Sequence, residues 1–302
     1  MYSYIHKLAA TGLSLSMATS AYAHPKVEKI ESRFETVEEV HAELARQGLE
    51  SSNMVVGIDF TKSNNNTGKK SYGGKKLHTI SPAPHRNPYQ NVIHILGRAL
   101  HDFDDDDIIP AYGFGDIRTR DKSVFPISWG SRECEGFQQL EEAYVRYAQS
   151  INKPGGLRLS GPTSMVPLIK QAIHIVTQAG GYHILVVIAD GSVTNYAENQ
   201  QALIEASRYP LSVVIVGVGD GTGYGNLDDS QPFSQMLQLD DDVEGKLFDN
   251  VQFVNFSELW ESTKELSPSE REAEFALEAL MEIPDQYKQI KQLGLLDKYP
   301  AK

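Results

Sequence analysis

Residues 54–63 of the chain read Met54-Val55-Val56-Gly57-Ile58-Asp59-Phe60-Thr61-Lys62-Ser63. The apolar first half predicts a short buried strand, which ends in one carboxylate, Asp59, followed by two hydroxyls at alternate positions, Thr61 and Ser63. Side chains at alternate positions of an extended loop can turn toward one point, where oxygen ligands suit Mg²⁺ or a similar hard cation. The same residues also fit a turn that caps the end of a strand, so this stretch alone leaves both interpretations open.

The remaining sequence predicts an α/β fold around this strand. His183–Ala189 and Leu211–Val218 are unbroken apolar runs, which are typical of strands in the middle of a mostly parallel sheet. Helical patterns separate the predicted strands, and one helix is predicted to begin at Pro162. This alternation predicts a doubly wound, mostly parallel central sheet with helices on both faces and one antiparallel edge strand.

Ligands of open α/β sheets bind beyond the carboxyl ends of the strands, where the winding reverses. Three separate segments bring five oxygen-bearing side chains to this edge: Asp59, Thr61, Ser63, Thr163 and Asp190. The hydroxyls would coordinate a cation directly, while the two carboxylates would act partly through water or by orienting the hydroxyls. Because few anionic ligands neutralise the cation and Mg²⁺ prefers six ligands, one position is open to a carboxylate from another molecule. The alternative is that Thr163 only caps a helix and Asp190 only forms a turn.

Other polar segments near this edge have two interpretations each. Asp116 ends a strand predicted over Ile108–Asp116, and Asp220 follows the strand predicted over Leu211–Val218. Each of the two either accepts hydrogen bonds that orient the ligands or caps a glycine turn. The run Asp104–Asp107 fits a second cation site or a solvated turn. Lys62–Pro88 is rich in Asn, Gly, Ser, Lys and Pro, so it predicts a long exposed loop that leaves the site.

Composition excludes several classes of protein. The chain has 302 residues and a formal net charge of −12, which argues against binding to nucleic acid through phosphate neutralisation. Cys134 is the only cysteine, so the sequence can form neither an internal disulfide nor a cysteine-rich zinc site. Its acidic neighbours, Glu133 and Glu135, would raise the pKa of the Cys134 thiol.

The N-terminus has the layout of a secretory signal peptide. Residues 1–23 combine a basic start, a modestly apolar middle and the sequence Ala21-Tyr22-Ala23. We expect either a cleaved signal peptide, which would place the protein outside the cell or in a periplasmic or lumenal space, or a disordered leader on a cytoplasmic protein. No other segment approaches the length of a transmembrane helix.

Several segments together resemble the copine-type von Willebrand factor A domain over about residues 34–296. They are Gly57–Asn64, Asn87–Tyr89, Tyr112–Asp116, Gly161–Ser164, Ile188–Gly191, Val216–Asp220, Phe253–Phe256 and Phe275–Lys288. The resemblance implies that the five oxygen-bearing residues form a metal-ion-dependent adhesion site holding Mg²⁺, or Mn²⁺ or Ca²⁺. Copines carry this domain after two C2 domains, and a plant-type group of ubiquitin ligases carries it before a RING finger. We expect neither appendage here.

The resemblance therefore implies a non-enzymatic module that binds a divalent cation and, through it, an acidic residue of a protein partner. One alternative is a substrate-recruiting relative, or truncated form, of a RING-type ubiquitin ligase. A second alternative is calcium-dependent phospholipid binding by analogy with copines, although membrane binding is not expected without C2 domains.

Overall fold

The computed structural model describes residues 30, 33–49, 52–100, 107–128, 133–191, 193–221, 232–241 and 243–302. The predicted leader at residues 1–23 lies outside the described residues. So does most of the acidic run Asp104–Asp107, of which only Asp107 is described.

A mostly parallel sheet forms the centre of the molecule. In chain order, the strands are β1 (Asn53–Asp59), β2 (Ile108–Ile109), β3 (Ala111–Phe114), β4 (Phe125–Pro126), β5 (Cys134–Glu135), β6 (His183–Ala189), β7 (Leu211–Gly217) and β8 (Val251–Asn255). The main sheet has the order β4-β3-β1-β6-β7-β8, while β2 and β5 pair separately. Only β4 runs antiparallel in the main sheet, so the predicted antiparallel edge strand is confirmed.

Helices cover both faces of this sheet. They are α1 (Val37–Arg46), α2 (Pro88–Leu100), α3 (Gly136–Ser150), α4 (Val166–Ala179), α5 (Tyr196–Ala206), α6 (Ser234–Asp241), α7 (Phe256–Ser262), α8 (Pro268–Leu280), α9 (Ile283–Gln292) and α10 (Leu295–Lys298). In the described part of the chain, none of them has the length and apolar character needed to cross a membrane.

The central strand β6 shows how the two faces are filled. Ile184, Val186 and Ile188 pack into the apolar core that contains residues of α1, α2, α3, α8 and α9. The alternate residues Leu185 and Val187 pack into a second core with residues of α4, α5 and α6. Because side chains alternate across a strand, a continuous apolar run is what a sheet covered on both faces requires. The predicted doubly wound fold is confirmed.

The winding of the sheet reverses between β1 and β6. From β1 the chain moves to β3 on one side, and it then returns to β6 on the other side of β1. The two strands are parallel and in register, with Ile58 opposite Ile188. Their carboxyl ends are therefore neighbours, which brings Asp59 and Asp190 to the same point of the sheet edge.

Two predicted elements differ from the structure because of proline. The strand predicted over Ile108–Asp116 is divided into β2 and β3 at Pro110, which has no N–H to donate to a ladder. The helix predicted from Pro162 begins instead at Val166. A helical carbonyl at Thr163 would need the N–H of residue 167, but that residue is a proline. The Thr163 carbonyl accepts a hydrogen bond from the amide of Thr194 instead, at 2.7 Å.

The segment Lys62–Pro88 is less exposed than predicted. Asn64, Thr67, Leu77 and His78 are all buried, so the segment is anchored in the fold at several points. Its polar anchors belong to the site described below.

Cys134 has a raised pKa for a reason other than the predicted one. Its side chain is fully buried, and its thiol donates to the carbonyl of Ile127 at 3.0 Å. Burial raises the pKa of the Cys134 thiol to about 11. The predicted direction is confirmed, but the cause is loss of solvation and not the neighbouring glutamates.

We expect the Cys134 thiol to resist Ellman's reagent at pH 8 in the folded protein. A pKa about 2 units above that of an unperturbed thiol lowers the thiolate fraction about a hundredfold, and burial limits access further. Reaction should be stoichiometric and fast once the protein is unfolded in guanidinium chloride. Fast labelling of the folded protein would contradict the buried position of β5.

Candidate metal centre

Four of the five predicted ligands form one hydrogen-bonded group. The backbone amide of Thr61 donates to Oδ1 of Asp59 at 2.7 Å. Ser63 Oγ donates to Oδ1 of Asp190 at 2.9 Å, and it lies 2.8 Å from Thr61 Oγ1. Because Ser63 has one proton and gives it to Asp190, the Thr61 hydroxyl is the donor to Ser63. The loop after β1 and the end of β6 thus bring their oxygen atoms together.

Thr163 lies on a loop that borders this group. Three residues earlier, Ser160 forms a parallel bridge with Thr61, and its carbonyl accepts from the amide of Lys62 at 2.6 Å. Thr163 itself is partly exposed. Among the described residues, no side-chain hydrogen bond joins Thr163 to the other four, so the structure brings four of the five predicted ligands into one hydrogen-bonded group and leaves Thr163 outside it.

The loop of Thr163 is fixed from the other side by Asn199 of α5. Its Oδ1 accepts from the backbone amide of Met165 at 2.8 Å, and its Nδ2 donates to the carbonyl of Thr194 at 2.8 Å. Asn199 is fully buried. It therefore connects the segment before α4 to the segment that follows Asp190.

The two carboxylates of the site are buried beside each other. Asp59 and Asp190 have relative exposures of 0% and 1%. Burial raises the pKa of both groups, and the charge of Asp59 raises the pKa of Asp190 further. No ion pair joins either of them to a lysine or arginine in the described part of the chain.

One oxygen of this pair has no partner. Oδ2 of Asp59 is buried and receives no hydrogen bond. A buried carboxylate oxygen without a donor is unfavourable unless a cation or water contacts it. The described residues hold no group of three His, Cys, Asp or Glu side chains suited to a metal. The donor set is instead two carboxylates with hydroxyls, which fits a hard cation such as Mg²⁺.

Sequence reasoning missed Thr67, which holds the second oxygen of Asp190. Its Oγ1 donates to Oδ2 of Asp190 at 2.6 Å, and it is 4% exposed. Both oxygens of Asp190 therefore accept hydrogen bonds from hydroxyls, one from Ser63 and one from Thr67. Thr67 lies outside the alternating pattern that singles out Thr61 and Ser63, so no spacing signal identified it.

Asn64 and Tyr89 support, from the protein interior, the loop that follows β1. Asn64 Nδ2 donates to the carbonyl of Thr61 at 3.2 Å, and its Oδ1 accepts from the hydroxyl of Tyr89 at 2.7 Å. Both residues are fully buried. The backbone of Thr61 is thus held by a chain of hydrogen bonds that begins on α2.

His78 fixes the backbone of Asp59. Its Nε2 lies 3.0 Å from the carbonyl of Asp59, and its Nδ1 lies 3.0 Å from the hydroxyl of Tyr144. Burial lowers the pKa of His78 to about 3, so the ring is neutral. A carbonyl can only accept, so Nε2 carries the proton and Nδ1 accepts from Tyr144. The oxygen of Tyr144 then accepts from Asn87 Nδ2 at 2.9 Å.

Asp116 and Asp220 form hydrogen bonds with loops and not with the five residues. Oδ1 of Asp116 accepts from the amide and the hydroxyl of Thr119. The carboxylate of Asp220 accepts from the amides of Lys70 and Ser71 and from the Ser71 hydroxyl. The contacts of Asp116 match the turn-capping interpretation, whereas Asp220, among the residues that the structure describes, holds the distant loop at Lys70 and Ser71 and does not cap its own glycine turn.

Gly115, directly after β3, allows the loop that contains Thr61 to pass close to it. It has a φ of +81°, and a Cβ placed there would lie 2.3 Å from Thr61 Cγ2 and 3.5 Å from Oδ1 of Asp59. A glycine is therefore required both for the left-handed backbone and for the close approach.

The doubly wound sheet, with these oxygen-bearing side chains at its switch point, is the arrangement of the von Willebrand factor A class of domain. The chain belongs to the copine family, whose model matches residues 76–299. That match includes Thr163 and Asp190 but begins after Ser63.

Curated relatives come from two groups of proteins. The chain is 45% identical over 284 residues to E3 ubiquitin-protein ligase RGLG5 of Arabidopsis thaliana, covering 90% of this chain and 61% of that protein. It is 44% identical over 266 residues to Copine family protein 2 of Caenorhabditis elegans, covering 87% of this chain and 3% of that protein. The chain thus spans about three fifths, or less, of the length of these relatives.

Solved structures resemble the chain only distantly. Manganese-loaded TRAP protein of Plasmodium vivax is 11% identical, with a TM-score of 0.41 and coverage of 74% of each chain. With a TM-score this low, it supports no conclusion about the metal or partner of this chain.

We expect Gly115→Ala to destabilise the protein more than Gly48→Ala does. Gly48 is a matched control, because it has a φ of +80° but no atom within 4 Å of the position that a Cβ would take. A left-handed alanine costs about 1–2 kcal/mol at either position. The clash with Thr61 should add about 1–3 kcal/mol at residue 115 only. Urea unfolding measures both, and equal losses would contradict the close approach.

We expect Thr67→Val to lower the free energy of unfolding by about 1–3 kcal/mol, because it leaves a buried carboxylate oxygen of Asp190 without its donor. Thr67→Ser keeps the hydroxyl and serves as the control, so it should lose clearly less. Chemical denaturation in EDTA measures both variants without a contribution from bound cation. If Thr67→Val had the same free energy of unfolding as the wild type, the hydrogen bond to Asp190 would not contribute to stability.

Proposed function

We propose that the chain is a non-enzymatic protein-binding module that works through a divalent cation. Asp59, Thr61, Ser63, Thr163 and Asp190 would hold the cation, and an acidic residue of a protein partner would complete its coordination. The observation that carries the proposal is the buried pair of carboxylates beside two hydroxyls, with Oδ2 of Asp59 unpartnered.

The charges at the site support a cation. Two adjacent buried carboxylates repel each other, and bringing both into the protein interior as anions is costly without a counter-charge. A divalent cation would supply that counter-charge and, when bound, a Lewis-acidic position for a carboxylate ligand. The oxygen donors favour Mg²⁺, Mn²⁺ or Ca²⁺ over softer metals.

The described side chains around the site do not form a catalytic arrangement. Ser63 donates to a carboxylate, Asp190, and not to a histidine that could take its proton. His78 is the nearby imidazole, but both of its nitrogens are engaged, and a pKa of about 3 makes it a poor base near neutral pH. Binding is therefore the function that these contacts support best.

The decisive test uses Mn²⁺ as a paramagnetic probe. Water bound to Mn²⁺ on the protein enhances the relaxation of solvent protons, and a carboxylate that displaces this water lowers the enhancement. We expect wild-type protein to bind Mn²⁺ competitively with Mg²⁺, and a glutamate-containing peptide to lower the enhancement while its glutamine version does not.

Asp190→Asn and Thr163→Ala should lose Mn²⁺ binding by about tenfold or more while keeping a cooperative thermal transition, because each removes one oxygen of the set. Asp220→Asn is the matched control, since within the described residues the hydrogen bonds of this carboxylate go to Lys70 and Ser71 and not to the five site residues. The proposal fails if all four proteins bind Mn²⁺ alike, or if the glutamate peptide leaves the relaxation of the wild-type complex unchanged.

A second candidate function is substrate recruitment for ubiquitin transfer. The observation that favours it is the 45% identity to a protein named as an E3 ubiquitin-protein ligase, of which this chain spans 61%. In that case the partner bound at the cation would be a substrate for ubiquitination, and the chain would contribute recognition. A partner identified through the cation site can be tested for ubiquitination directly.

A further inference from the structure

A groove with three arginines lies next to the candidate metal centre. It encloses a cavity of about 730 Å³ between the segment after β3, the C-terminal part of α3 and the turn that precedes Ser160. Its walls include Arg118, Arg146 and Arg158 together with Ile117, Phe125 and Tyr147.

The groove carries net positive charge on an acidic protein. Asp116 is the acidic residue in its lining, and this carboxylate is 3% exposed and already accepts hydrogen bonds from Thr119. Within the part of the chain that the structure describes, the ion pair of Arg146 is a long one with Glu142, at 3.9 Å. Arg118 and Arg158 are exposed, and within the described residues no ion pair involves either of them. Free guanidinium groups here would attract an anionic ligand, although the whole chain has a net charge of −12.

One pair of backbone segments connects the groove to the metal centre. The amide of Ile117 donates to the carbonyl of Arg158 at 2.9 Å, and the amide of Ser160 donates to the carbonyl of Gly115 at 3.1 Å. Ser160 also bonds to Lys62, next to Thr61. Extended backbone rises about 3.3 Å per residue, so three residues along either segment span about 10 Å. A partner peptide a few residues long could therefore contact both sites.

We propose that this arginine groove binds an acidic stretch of the protein partner. One carboxylate would reach the cation, and the next carboxylates along the same segment would pair with Arg118 and Arg158. The contact at the cation rests on the proposed function, whereas the contact at the arginines does not. Guanidinium groups bind carboxylates through paired, charge-assisted hydrogen bonds, which gives such a groove specificity for an acidic sequence.

The apolar walls favour a peptide over a free phosphate. Ile117 is 44% exposed, and Phe125 and Pro126 line the same groove. A phosphate group would use only the guanidinium groups, whereas a peptide would also cover the apolar side chains between its acidic residues.

Fluorescence anisotropy with a labelled peptide tests the proposal on the full chain. The probe is a peptide of repeating Glu-Ile-Glu-Gly, compared with the same peptide carrying Gln for Glu, in Mg²⁺ and in EDTA. The double variant Arg118→Gln/Arg158→Gln should bind the glutamate peptide about tenfold more weakly in both conditions. Lys170→Gln/Arg208→Gln removes the same charge from exposed positions elsewhere and should bind like wild type. Thermal unfolding verifies that both variants are folded.

The outcomes separate this proposal from the proposed function. If Arg118→Gln/Arg158→Gln binds the peptide more weakly and Mg²⁺ has no effect on binding, the result supports peptide binding in the groove and contradicts the cation-dependent contact. A groove variant that binds like wild type overturns the groove, as does an equal loss in the Lys170→Gln/Arg208→Gln control. A wild-type protein that does not prefer glutamate over glutamine also overturns it. The proposal is also overturned if the peptide does not bind while tripolyphosphate or phosphatidylserine vesicles bind in a way that depends on Arg118 and Arg158.

Discussion

The register between β1 and β6 is the constraint on which the site depends. With Ile58 opposite Ile188, both strands end at the same level, and the residues that follow must share one small volume at the sheet edge. Asp59 and Asp190 are consequently buried beside each other although 131 positions separate them in the sequence. A slip of one residue in either strand would turn its side chains to the opposite face and separate the two carboxylates.

A polar network holds the loop that follows β1, from Asp59 to Thr67, in place within the protein. Hydroxyls of Ser63 and Thr67 donate to the two oxygens of Asp190, whereas Asp59 keeps one oxygen without a donor. Behind them, Asn64 and His78 hold the backbone carbonyls of Thr61 and Asp59. If the proposed cation binds, a loop whose backbone is fixed in this way would lose little conformational freedom, which would favour affinity. The arginine groove lies beside this loop, joined to it through the backbone of Ser160.

Much of the fold follows from local sequence patterns, because unbroken apolar runs such as His183–Ala189 have few alternatives to a central strand. The two errors in element boundaries both arise at prolines, because Pro110 and Pro167 lack the N–H for a backbone hydrogen bond, and hydrophobic periodicity does not detect this. At the site, alternation and strand-end position identified the candidate ligands, and their role in binding metal stays a prediction. Thr67 and His78 were missed because their partners are distant in sequence and are fixed only by the tertiary fold.

The position of Pro167 also affects how Thr163 can move. The Thr163 carbonyl has no helical hydrogen bond and accepts from the amide of Thr194 instead. The side-chain amide of Asn199 bonds to both segments, at Met165 and at Thr194. Because Asn199 lies in the first turn of α5, any shift of Thr163 would also displace that turn.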